Sequence, residues 1–198
     1  ACDDAIACAI DMIKELDEYN RTNRQGDVPN FRSKGPRREA LEVGIGLNAG
    51  KVVFGTIGYE DRVDFTILGD TVNTTSRIET LTKHLGASLI VHESVIQKSK
   101  SDRTSRYIGA VQVKGKLEPL RLWEVLSETD ATTREKKKDS LEAFNKAMRL
   151  FEDDKKEEAH EIFSTIYQNN PEDRVAKYYI EWCKVKRAPH QFTRKEDV

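Results

Sequence analysis

The chain has 198 residues, 37% of them hydrophobic and 34% charged, and a formal net charge of −1, a size that suits one medium domain with an appendage or two small domains. The even charge balance gives no electrostatic case for a nucleic-acid partner or an acidic membrane surface, and no apolar run approaches the ~18 residues of a membrane span or has the form of a signal peptide. A charged fraction above the usual ~25% predicts a modest core beneath extensive solvated helix surface.

Residues 3–19 place Ala5, Ile6, Ala9, Ile10, Ile13 and Leu16 on one stripe at helical spacing, with Asp3 and Asp4 where a first turn favours negative charge. Because this helical pattern is under way at the first residue, the chain is expected to be an N-terminally truncated piece of something longer. Residues 20–39 lose all periodicity and carry a basic excess, which predicts a long solvated connector. From Leu41 the period becomes two, predicting a half-buried strand over 41–47, a tight turn at 48–51 and a second strand over 52–57. A polar loop over 58–64 and a short apolar run over 65–68 follow. Gly69 and Asp70 then open a helix, with Asp70 as its N-cap, that runs to about Leu85 and is ended by Gly86. Beyond it the pattern predicts a strand over 87–91, a short helix over 92–98 and two final strands over 106–113 and 120–126. Strands and helices mix without strict alternation, which favours an α+β layer fold over a doubly wound one.

After residue 127 the composition changes. Residues 128–139 are charged and lack an apolar stripe, so they read as a linker or the start of a solvated helix. Two amphipathic helices follow, one through Leu141, Phe144, Ala147, Met148 and Phe151 and one through Ala159, Ile162, Phe163 and Ile166; a third spans about 172–186. Their A-x-x-x-F spacing is similar to the tetratricopeptide repeat, but one repeat cannot bury its own stripe. The tail must therefore pack on itself with its third helix, on the preceding domain, or on a protein partner. The expected division is 1–126 as the main domain, 127–139 as linker, 140–187 as helical tail and 188–198 as frayed terminus.

The chemistry-bearing residues cluster in the middle of the main domain. Asn73 and Arg77 are four apart on one predicted helix, so both project from the same face near its N-terminus, an end that already favours anions. A guanidinium one turn in can fork onto a phosphate, and an amide beside it can bond a ribose oxygen. Thr66, on the strand before, can offer a hydroxyl to a base edge, and Lys114, in a glycine-containing hairpin, can reach a second phosphate. Physics alone leaves this nucleotide constellation balanced against an ordinary exposed helix face.

The ordered strings decide between them. G-I-G-x-N-x-G-x-V-x-x-G-x-I-G from Gly44 to Gly58, R-x-D-F-T-x-x-G-D-x-V-N-x-x-S-R-x-E from Arg62 to Glu79, V-K-G-K-x-E-P from Val113 to Pro119 and the closing Trp123-Glu124-Val125 together closely resemble the class III adenylyl and guanylyl cyclase catalytic domain. The resemblance implies an α+β, ferredoxin-like sheet-and-helix layer, N-terminally truncated, with a C-terminal helical hairpin region appended. It implies conversion of ATP to 3′,5′-cyclic AMP and pyrophosphate, with Asn73 orienting the ribose, Arg77 stabilising phosphate charge in the transition state, Lys114 holding the outer phosphates and Thr66 reading the purine. Adenylyl-selective members commonly carry Asp or Thr at the position of Thr66 and guanylyl-selective ones Cys or another small residue, so Thr66 favours ATP over GTP.

The family also uses Mg²⁺ or Mn²⁺, held by two aspartates that precede the segment matched here, and forms its sites between two subunits. Asp3, Asp4, Asp61, Asp64 and Asp70 do not take those roles, so no metal ligand is assigned in this chain. The resemblance thus implies a second cyclase subunit, identical or different, and a fragment that is inactive by itself. A guanylate cyclase, and a non-catalytic pairing module with a docking tail, stay open as alternatives. His84, His92, His160 and His190 are too scattered for a metal site. Cys2, Cys8 and Cys183 form no C-x-x-C and are odd in number, which favours a reducing, cytoplasmic location, with membrane attachment of a longer parent left open. The Gly44 and Gly46 pair lies within an alternating strand, which predicts close backbone approach and not a phosphate loop.

Overall fold

The apolar stripe at Ile6, Ala9, Ile10 and Ile13 is the buried side of α1 (Cys2–Gln25). The structure, a computed structural model, describes residues 1–25, 40–59, 62–100, 103–112, 118–127 and 131–185, with backbone alone at 23–25, 57–59 and 62–64. α1 runs beyond the predicted 3–19, and Asn20 near its end clasps the backbone of Leu41 in both directions, at 2.8 and 2.9 Å.

The sheet departs from the sequence reading at its start. The strand predicted over 41–47 is reduced to β1 (Ile45–Leu47), and Leu41 and Val43 are exposed. No hairpin joins it to β2 (Val53–Tyr59); β2 pairs instead with β3 (Arg62–Leu68) in a separate antiparallel ribbon, from Val53↔Leu68 to Tyr59↔Arg62. The loop predicted over 58–64 is largely taken up by this ladder. The segment expected as a tight turn is otherwise engaged: the Asn48 amide donates to the Thr71 carbonyl at 3.3 Å, and the Ala49 N–H donates to Ser94 at 3.2 Å.

α2 (Asp70–Leu85) follows and ends, as predicted, at Gly86, which adopts φ 71° and returns its N–H to the Thr82 carbonyl. Next come β4 (Leu89–His92), α3 (Glu93–Lys98), β5 (Ser105–Val111) and β6 (Leu120–Val125). The main sheet is four-stranded in the order β1-β4-β6-β5, with β1 parallel to β4 and the other pairs antiparallel. This is the mixed α+β layer expected. The His92 ring accepts from the Ser94 N–H and caps α3.

In β4 the consecutive residues Leu89, Ile90 and Val91 are all fully buried, the mark of a strand covered on both faces. Leu89 and Val91 join Ile6, Ile10 and Val95 on the side of α1 and α3. Ile90 faces the other way, into a larger core with Ile108, Leu122 and the inner side of α2.

That second core also takes in the tail. It comprises α4 (Ala131–Asp139), α5 (Leu141–Glu152), α6 (Lys156–Asn169) and α7 (Arg174–Cys183). α4 lies in the stretch that reads as linker or solvated helix start, and its Lys137 is buried. Phe144 meets Phe163 edge-on at 5.4 Å, and Phe163 stacks on Tyr179 at 5.1 Å. Among the described residues no helix is long and apolar enough to cross a membrane.

Candidate functional site

The site residues are set out by how α2 sits on β1. Gly46 lies so close beneath the helix that a Cβ there would stand 2.5 Å from the Glu79 amide nitrogen, and a Cβ on Gly44 would overlap Thr82. This is the close approach predicted from the glycine pair. With Thr74, Ile78, Leu81, Thr82 and Leu85 turned inward, helical geometry turns Asn73 and Arg77 outward. Both are exposed, one turn apart, near the N-terminal end of α2.

The cap differs from the prediction. Gly69, not Asp70, is the N-cap, at φ 146°, and Asp70 is the first helical residue. The N–H groups of Val72 and Asn73 close on the Gly69 carbonyl at 3.0 and 3.4 Å. A side chain at position 69 would need a backbone conformation that L-residues rarely adopt, and this explains why glycine holds the cap. Thr71 fastens the first turn by donating to the Lys51 carbonyl at 2.7 Å. The resulting helix end combines a favourable dipole with a guanidinium one turn in, an arrangement suited to a phosphate ester.

Thr66 lies on β3, opposite Gly55 on β2, and is half-buried. A Cβ on Gly55 would meet nothing within 4 Å, so the space beside Thr66 on that strand is open. The structure therefore brings Asn73 and Arg77 together on α2 and puts Thr66 on the ribbon that leads into it. Lys114 lies outside the described residues.

Among the described residues no three His, Cys, Asp or Glu side chains come together in a group able to hold a metal ion. Asp3 accepts hydrogen bonds from the Ser99 hydroxyl and the Lys100 N–H, joining α1 to the end of α3.

The ribbon has a feature that sequence reasoning passes over. Phe54 and Phe65 are 67% and 74% exposed and stack with ring centroids 6.0 Å apart, flanked by exposed Val53 and Ile67. An apolar cross-strand cluster left in water marks a contact surface. The signal was present in the dense apolar residues of 52–57 and 65–68, read there as ordinary strands.

The fold and this site define a nucleotide-cyclase catalytic domain. The family described as the Adenylate and Guanylate cyclase catalytic domain matches residues 1–126, and the chain belongs to it. An adenylate cyclase of Anabaena cylindrica is 37% identical over 126 residues, covering 62% of this chain and 24% of that protein. A terminal-differentiation-specific adenylate cyclase of Dictyostelium discoideum is 30% identical over 182 residues, covering 90% of this chain and 8% of that protein. The crystal structure of the adenylyl cyclase CyaB from P. aeruginosa shares the fold, with a TM-score of 0.51 and 23% identity over 65% of this chain and 60% of that one. The chain thus spans about a quarter or less of the length of the two curated relatives.

Proposed function

We propose that residues 1–126 supply the ribose-, phosphate- and purine-reading part of an adenylate cyclase site, in which ATP becomes 3′,5′-cyclic AMP and pyrophosphate at an interface between two subunits. The observation that carries this reading is the outward placement of Asn73 and Arg77 one turn apart at the N-terminal end of α2, in a chain of the cyclase family. The ribose 3′-hydroxyl gives up its proton to solvent as its oxygen attacks the α-phosphorus, the new P–O bond closes the ring, and the bond to the bridging oxygen breaks to release pyrophosphate. Asn73 bonds the ribose and holds that oxygen in line. Arg77 bears on the phosphate oxygens, where charge accumulates in the transition state. Thr66 offers its hydroxyl to the purine edge, and Lys114 holds the outer phosphates.

The remaining parts of the site come from a second subunit. In the family the aspartates that hold Mg²⁺ or Mn²⁺ precede the segment matched here, and none is assigned to this chain. The exposed Phe54–Phe65 cluster is a suitable seat for that subunit.

The test is complementation. The chain alone, given ATP with Mg²⁺ or Mn²⁺, should make no cyclic nucleotide, and robust turnover would sink the assignment of the carboxylates to another chain. Mixed with a cyclase domain that keeps its metal aspartates but has its own Asn and Arg replaced, it should restore turnover. Failure to restore it would favour a non-catalytic pairing module. Faster turnover of GTP than ATP would make the product cyclic GMP and overturn the reading of Thr66.

A further inference from the structure

Sequence alone leaves the helical tail free to pack on itself, on the domain or on a partner. The structure packs it on itself and on its own sheet, through a buried charge network. Arg106 on β5 and Glu124 on β6 stand directly opposite each other, joined from Nε to Oε2 at 2.6 Å. From the tail, Asp173 accepts both terminal nitrogens of Arg106 at 2.7 and 2.6 Å, and Lys137 donates to Glu124 at 2.7 Å. All four are buried, none more than 3% exposed. Two acids and two bases leave no net charge, and the set is complete only where tail and sheet meet.

Further contacts carry this lock along α7 to the end of α2. Tyr179 donates to the Ile108 carbonyl at 2.5 Å, beside Gly109, whose φ of 104° and missing side chain leave room for the phenol. Asp173 also caps α7 by accepting the Ala176 N–H at 3.1 Å. The next residue, Arg174, lies against Gly86 at the C-cap of α2 so closely that a Cβ on Gly86 would overlap it. Arg174 then forks onto Glu42, just ahead of β1, at 2.9 and 3.2 Å. Beneath the helix, Ile78, Leu81 and Leu85 share one core with Phe163, Val175 and Tyr179.

We infer that the tail acts within the chain as a brace for α2, with Asp173 and Arg106 as positioning residues for Asn73 and Arg77. This rests on the reading that those two residues meet the nucleotide. α2 is fixed near its start through Thr71, below by the glycine strand, and at its far end by α7. A rigid helix rises about 1.5 Å per residue, so Arg77 stands roughly 12 Å from the braced end and follows any tilt of it. A separable docking unit would keep its apolar faces for another protein; here Phe144, Met148 and Phe163 are buried in the core they share with the sheet. The match to the Dictyostelium cyclase covers 90% of the chain, so it runs past residue 126 and takes in tail as well as domain.

Hydrogen exchange on the full chain tests the brace without relying on turnover. Asp173→Asn keeps a capping acceptor but removes the charge opposite Arg106, and Tyr179→Phe removes a single hydrogen bond, so a variant that folds is available. In each, amides at 78–85 should exchange about tenfold faster or more, while α1, packed on the opposite face, keeps its rates. No acceleration, or equal acceleration in α1 and α2, overturns the brace. In the complemented cyclase the same variants should lower kcat about tenfold with KM for ATP little changed. An unchanged kcat beside a loosened α2 overturns the positioning role. If the unaltered pair makes no product, the nucleotide reading falls and the positioning role with it, while the exchange arm still decides whether the tail holds α2.

Discussion

Asp173, at the N-cap of α7, receives both terminal nitrogens of Arg106 from β5, and the two side chains are completely buried. Breaking such a pair from one side strands a charge without water, which costs about 3–5 kcal/mol. Asp173→Ala should lose about that much in urea or guanidinium unfolding, more than any exposed ion pair in the chain could account for. A loss below about 1 kcal/mol would mean that water or another carboxylate takes over.

The same pair gives the fold a dependence on acid. Burial by itself would push the Asp173 carboxyl upward, but the hydrogen bonds and charge of Arg106, with Lys137 and the Ala176 N–H, outweigh it and hold the group below the ordinary carboxylate range. A carboxyl lowered in the folded state binds its proton more readily in the unfolded chain. Its stabilisation is therefore full above the unfolded value of about 3.9 and drains away as pH falls through the lower folded one. Stability measured from about pH 6 downward should fall less steeply below about pH 4 in Asp173→Asn than in the unaltered chain. Identical slopes would exclude Asp173 as the source.

Asn73 and Arg77 should show the reverse pattern, with a large effect on turnover and little on stability. Arg77→Ala and Asn73→Ala, tested in the complementing pair, should each lower kcat by about a hundredfold to a thousandfold, the loss typical of a transition-state donor. Both side chains are exposed, so unfolding free energy should change by no more than about 0.5 kcal/mol. Equal losses in activity and stability would reassign them to structure.

Phe54 and Phe65 predict an association. Replacing both with Ser should weaken self-association, or pairing with a complementing domain, in sedimentation or light scattering. Stability at a dilution where the chain is monomeric should stay within about 1 kcal/mol, because the rings are already in water. An unchanged oligomer distribution would remove the ribbon from the interface.

Gly46→Ala tests the seat of α2. A methyl there meets the helix backbone at Glu79 and not a flexible side-chain end, so α2 must shift, at a cost of about 1–3 kcal/mol. Turnover in the complementing pair should fall with it. Retention of both stability and turnover would show that the helix has more freedom than the contact suggests.

Local signals made much of this legible. α2 was readable because its inward residues recur at helical spacing and Gly86 stands where a left-handed cap is needed. The pairing of strands was not, since period two in 41–47 says that a strand exists but not which neighbour it takes. β1 chose β4, whose paired residues lie 44 positions further along the chain, and β2 took β3. Of the proposed site, Asn73, Arg77 and Thr66 were readable from ordered motifs. The buried charges were not: Arg106, Glu124, Lys137 and Asp173 look like surface in any local window, and their burial is decided by a tail helix reaching back across the sheet.

β4 separates the two hydrophobic cores. Leu89 and Val91 belong to one core and Ile90 to the other, so the two hydrophobic halves meet back to back along a single short strand. Disturbance on one side reaches the other through a shared wall one residue thick. A substitution at Leu89 or Val91 that shifts the strand therefore moves Ile90 as well, and with it the core that the sheet shares with the tail.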